Sequence, residues 1–122
     1  MAERVPMPST AELVSCLREG ARLFDERRFF EAHEAWEARW LVETDERRRL
    51  LLQGLIQIAA AFHKLVDKSA PVPAASLFAK GLAKLDRCAA LPRFAGDVRA
   101  CATALAEGRF DATMIPKCGA IA

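Results

Sequence analysis

Residues 29–40 read Phe-Phe-Glu-Ala-His-Glu-Ala-Trp-Glu-Ala-Arg-Trp, which gathers an imidazole, three carboxylates and two indoles into one short stretch. At 3.6 residues per turn, Phe29, His33, Trp36 and Trp40 share one face of a helix, and His33 stacks one turn below Glu37. An imidazole beside a carboxylate can act as a general acid and base, or supply half of a metal site. The candidate catalytic groups are therefore His33, Glu34 and Glu37, with Glu37 or Glu34 as the base. The same residues also suit a structural role. A histidine on an apolar face commonly satisfies itself on a carbonyl or carboxylate, and a tryptophan seeks a partner for its indole N–H. Glu31 and Glu34 read equally well as surface charges paired with Arg27, Arg28 or Arg39.

Metal chemistry needs a ligand count that this chain does not reach. His-Glu-x-x-Glu lacks the second histidine of the zinc-protease helix, and the Glu-x-x-His motif of di-iron bundles does not occur. His33 and His63 are the only histidines. No metal site and no cofactor are expected. A structural or binding role is favoured over catalysis, and a metal- or acid/base-assisted hydrolase acting on a small molecule through His33 and Glu37 is the alternative.

A second stretch, Leu50–Phe62, is apolar around most of its circumference, interrupted by Gln53 and Gln57. The two glutamines either continue a wet stripe with Glu46, Arg49 and Lys64, or face the first helix and hydrogen-bond the His33/Glu37 pair. Spacing leaves both open. His63 lies beside Leu52, Ile56 and Ala59 and reads as a satisfied core residue.

The elements that must position these groups are all helical; no stretch alternates with period two. Helix one is expected over about 11–26, capped by Ser9 with Glu12 three residues on. Helix two spans about 29–41 and helix three about 45–68, with Thr44 or Asp45 as its cap. Helix four follows Pro73, and a short helix five runs from an Asp97 cap to Gly108. Gly54 and Gly81 sit inside helical patterns at a cost of about 1 kcal/mol each relative to alanine. They would admit another backbone or a large ring, Trp36 and Trp40 being the rings that most need room. The fold class is all-α, a compact bundle of about five antiparallel helices. One helical domain is expected over 9–108, with tails at 1–8 and 109–122.

Composition narrows the rest. Hydrophobic residues make up 52% of the 122 and charged residues 28%, a globular balance. The net charge of +2 is too even to call for nucleic acid, and Arg47-Arg48-Arg49, preceded by Glu43, Asp45 and Glu46, reads as a solvated face. The longest apolar run falls short of the roughly 20 residues of a membrane span, so no membrane association is expected. The N-terminus lacks a secretory h-region, which makes the cytoplasm the expected compartment. Cys16, Cys88 and Cys101 fall on apolar stripes as buried, reduced thiols, whereas Cys118 is expected to be exposed. A small molecule is the partner the cluster would suit. The apolar fraction also permits a homodimer, with Met114, Ile115 and Ile121 available to pack across it.

Phe29-Phe30-Glu31-Ala32-His33-Glu34-Ala35-Trp36-Glu37 with Trp40, followed by Gln53-Gly54-Leu55-Ile56-Gln57-Ile58-Ala59-Ala60, resembles the prokaryotic domain-of-unknown-function family 309. The resemblance covers roughly Leu17 to Leu85. It implies a small all-helical protein and names no reaction. Its motif falls on His33, Glu34, Trp36, Glu37, Trp40, Gln53, Gly54 and Gln57. It further implies that the two helices face each other and that Trp36, Trp40, Gln53 and Gln57 are binding residues of one cluster. Where the family often carries a Gly-Asn type turn after helix three, this chain has Asp67-Lys68-Ser69-Ala70-Pro71-Val72-Pro73.

Overall fold

A computed structural model describes residues 10–119. It contains α1 (Thr10–Asp25), α2 (Phe29–Trp40), α3 (Glu46–Phe62), α4 (Pro71–Cys88) and α5 (Pro92–Ala106). A π-helical turn, His63–Asp67, prolongs α3, and a 3-10 turn, Ala112–Met114, follows α5. The described residues hold no strand, so the chain is an all-α bundle. Ser9, the expected cap of the first helix, lies outside the described residues, as does Ile121.

Consecutive helices are neighbours, with the closest packing between α3 and α4. Their pairing runs antiparallel. Gly20 meets Trp36 while Glu12, one end of α1, approaches Arg39 at the far end of α2. Phe62 packs on Phe78 while Arg47 reaches Cys88. Phe29 stacks on Phe62 while Arg49 lies over Trp40.

The helix starts follow from which N–H groups lack an acceptor. Asp45 caps α3 by accepting from the Arg48 N–H at 2.9 Å, as the sequence indicates. α4 begins at Pro71 and not after Pro73, because the first turn of a helix has no intrahelical bond for a proline to break. α5 likewise starts at Pro92 rather than at an Asp97 cap. The extra turn brings Phe94 and Ala95 into the core.

Trp36, Phe24, Phe29, Phe62 and Phe78 form the fully buried centre. Phe24 meets Phe29, Phe62 and Phe94 edge-on at 5.0, 5.6 and 5.7 Å, the arrangement that ring quadrupoles favour. Gly54 and Gly81 face each other across α3 and α4. A Cβ on Gly81 would sit 2.8 Å from the Gly54 carbonyl oxygen, so these glycines let two backbones touch. The room for Trp36 comes instead from Gly20.

Three sequence expectations are overturned. Cys118 is buried, 1% exposed, because the chain after α5 folds back: Ile115 enters the core and the Cys118 N–H donates to Asp25 Oδ1 at 2.6 Å. Arg47, Arg48 and Arg49 stay in part solvated, Arg47 exposed and the other two half-buried, but they are not a free face. They donate to the Cys88 carbonyl, to Thr10 Oγ1, and to the Trp40 and Glu43 carbonyls. Finally, only the length premise changes: the continuous helix 46–67 is long and apolar enough, by length and composition alone, to cross a membrane, a test that the core helix of a globular protein also passes; Leu65 and Val66 carry its apolar character past Phe62. Leu52, Leu55, Ile58, Ala59, Ala61 and Phe62 of that helix are occupied by the core.

Candidate functional site

α2 lies between α1 and α3, and its broad apolar stripe divides accordingly. Trp36 turns to α1, where its indole N–H donates to the Leu17 carbonyl at 3.4 Å. Ala35 accepts from the Cys16 thiol on the same side. Phe30, His33, Glu37 and Trp40 turn the other way. At about 100° per residue, a shift of one position around the stripe is enough to choose between neighbours.

Glu37 and Trp40 of α2 and Gln53, Ile56 and Gln57 of α3 line a shallow groove of about 220 Å³. The structure thus brings together Glu37, Trp40, Gln53 and Gln57, with His33 beside them: its Nε2 is 3.4 Å from Glu37 Oε2. Trp36 is buried on the opposite flank, and Glu34 is exposed outside the groove lining. Gln57 does not bond the His33/Glu37 pair; its Oε1 accepts from Lys84 Nζ of α4 at 2.8 Å.

His33 and Glu37 form a loose pair. Their side chains are 23% and 47% exposed, and the contact is longer than a charge-assisted hydrogen bond. His33 Nδ1 and Trp40 Nε1 are both buried without a hydrogen-bond partner. Phe30, half exposed, stands between the two histidines, its ring 5.7 Å from that of His33 and 5.2 Å from that of His63. The π-helical turn places His63 there and sets its Nδ1 2.8 Å from Asp67 Oδ2. Among the described residues no group of three or more His, Cys, Asp and Glu side chains is placed to hold a metal ion.

One end of the groove is held by residues that the sequence suggests only as surface charges. Arg39 and Glu43 are 6% and 4% exposed and bond at 2.7 Å. Burial pushes the Glu43 carboxyl upward, but Arg39 and the Thr44 and Asp45 N–H groups outweigh it, and the net direction is down. Arg49 donates to the Trp40 and Glu43 carbonyls at 2.8 and 2.9 Å, and its guanidinium lies 4.3 Å from the Trp40 ring centre. This staple fixes the α2–α3 turn and with it the Trp40 wall of the groove. The i, i+4 spacing of Arg39 and Glu43 was the available signal.

A family model described as "Domain of unknown function (DUF309)" matches residues 17–77. The chain belongs to that family. No curated protein and no solved structure matches it. The DUF309 match takes in α2 and α3 whole and every residue lining the groove. Lys84, which holds Gln57, and the C-terminal segment that covers the core lie beyond it.

Proposed function

We propose that the α2–α3 groove is a binding site for a small polar molecule, and that the chain serves as a binding module and not as a catalyst. The observation that carries this reading is the state of Gln53 and Glu37. Both line the groove. Among the described residues the Gln53 amide makes no side-chain hydrogen bond, and Glu37 has only the loose contact with His33. Hydrogen-bonding groups collected in a concave surface and left unspent by the fold are what a ligand site requires.

Catalysis is less well served. His33 is not clamped by a second partner, Glu37 is half in water, and no hydroxyl or thiol lines the groove. A general acid or base works best when held in hydrogen-bond reach of a defined proton.

A fragment screen followed by ¹⁵N-resolved NMR tests the proposal. The Trp40 indole and the Gln53 and Gln57 side-chain amides should shift together on binding. The Trp36 indole, bonded to Leu17 in the core, should stay still. A screen in which no fragment moves those three resonances overturns the proposal.

A further inference from the structure

We infer that the ligand of this groove is a small organic cation, an ammonium or guanidinium group seated on Glu37. The inference rests on the groove being a binding site and adds the chemistry it selects.

Five residues line the groove, and Glu37 is the one that carries a formal charge. Two bases touch the lining residues without bonding Glu37, and both keep their charge because their acceptors are neutral. Arg49 is spent on the Trp40 and Glu43 carbonyls and on the Trp40 ring. Lys84 is held by Gln57 Oε1 through one of its three donors. A carboxylate offers about four lone-pair sites, and the 3.4 Å contact with His33 satisfies at most one of them. The remaining sites are open to solvent or a ligand, the side chain being 47% exposed and part of the groove lining.

The other lining groups suit the same occupant. The Gln57 carbonyl oxygen already receives an ammonium, that of Lys84, which shows the polarity this wall presents. The Gln53 amide oxygen is a second acceptor in the same lining. Trp40 and Ile56 supply apolar walls for a short carbon chain. At about 30 Å³ per water, the volume corresponds to roughly seven waters, or a molecule of about that many heavy atoms. An anionic ligand would meet the Glu37 carboxylate, the one formal charge in the lining itself.

The test is an NMR titration of the whole chain, reading the Trp40 indole, with four probes: propylammonium, methylguanidinium, 1-propanol as the uncharged analogue, and N-acetyl-lysine N-methylamide. The cationic probes should bind about tenfold more tightly than 1-propanol, and Glu37→Gln should remove that advantage. Asp97→Asn, on the distant α5, should leave it intact. Added salt should weaken the cations and not the alcohol. An unchanged helical circular-dichroism spectrum and melting temperature establish that E37Q is folded, as expected for a half-exposed side chain.

If the lysine derivative binds and the free amines do not, the cation assignment stands and its source is a polypeptide side chain. If 1-propanol matches propylammonium, or E37Q titrates like the parent, the cation assignment is overturned while the groove remains a binding site. If no probe moves Trp40 and the fragment screen is also silent, the binding role falls with it.

Discussion

Gly20 lies directly against the Trp36 indole: a Cβ at that position would stand 2.0 Å from Nε1 and 2.3 Å from Cε2. The α1–α2 spacing is therefore set by the absence of one methyl group. The ring cannot retreat, because it is fully buried against Phe24 and tied to Leu17.

Gly20→Ala should destabilise the fold by about 2–3 kcal/mol, the usual range for overpacking a dense core, even after the helical preference of alanine is credited. Gly96→Ala is the control. It lies within α5 with nothing near its would-be Cβ, and should gain about 0.5–1 kcal/mol from helix propensity. Urea unfolding monitored by Trp fluorescence reads both. Equal midpoints for the two variants would contradict this account of Gly20.

The helices were legible in the sequence because an apolar stripe at helical spacing is a local property. The Asp45 cap was legible for the same reason. What each stripe residue faces is not local. Trp36 and Trp40 look equivalent along α2, yet one is sealed against α1 and the other walls the groove. The difference depends on which helix lies to either side. The partner of Gln57 is Lys84, 27 residues away on α4, so spacing within α3 could not choose between solvent and His33. Cys118 and Ile115 sit in an irregular segment with no periodic pattern to announce their burial. Arg47–Arg49 resembled a wet face because Arg47 and Arg49 bond backbone carbonyls, which leave no trace in a sequence, and Arg48 bonds Thr10, 38 residues away.

Ala89 ends α4 in the left-handed region, with φ 51° and ψ 40°. Its N–H donates to the Asp86 carbonyl, and the Ala90 N–H to that of Leu85, both at 3.1 Å, the pattern of a Schellman ending, for which glycine is preferred. A left-handed alanine costs roughly 1–2 kcal/mol. Ala89→Gly should therefore stabilise the chain by about 1 kcal/mol and raise the melting temperature by roughly 4 °C. A lower melting temperature would show that Arg47, which bonds the adjacent Cys88 carbonyl, needs the alanine in place.

The buried thiols report on the C-terminal segment. Burial pushes Cys101 up to about 11 and Cys118 further still, with Asp25 adding to the rise at Cys118. Both should resist iodoacetamide at pH 8, where almost no thiolate is present. Asp25→Ala removes the acceptor of the Cys118 N–H. It should speed labelling of Cys118 tenfold or more, as expected for losing a hydrogen bond to a charged group, while Cys101 keeps its rate. Asp25→Asn removes the charge but keeps an acceptor oxygen, and should have a much smaller effect. Peptide mapping of the labelled sites gives the answer. Equal acceleration by both variants would mean that charge, not the hydrogen bond, holds the segment shut.

Glu43 gives the stability of the fold a defined pH dependence. Its folded carboxyl titrates below the ordinary value of 4.5 because Arg39 and two backbone N–H groups favour the charged form over the cost of burial. A depressed carboxylate contributes stability that is complete above its unfolded value and is lost as pH falls through the folded one. At pH 7, Glu43→Gln should cost about 3 kcal/mol, because Arg39 is left buried without its counter-charge. The gap to the parent should begin to narrow below about pH 4.5 and close only as the pH falls through the lower folded value, since a protonated Glu43 resembles glutamine. Replacing both partners, as Arg39→Met with Glu43→Met, should recover much of the loss, the desolvation of both charges having been removed. Urea titrations at pH 7 and at a series of pH values stepped down from 4.5 on the parent, the single variant and the double variant decide it. A gap that stays constant with pH would mean that the α2–α3 turn draws its stability from Arg49 and the Trp40 ring rather than from the buried pair.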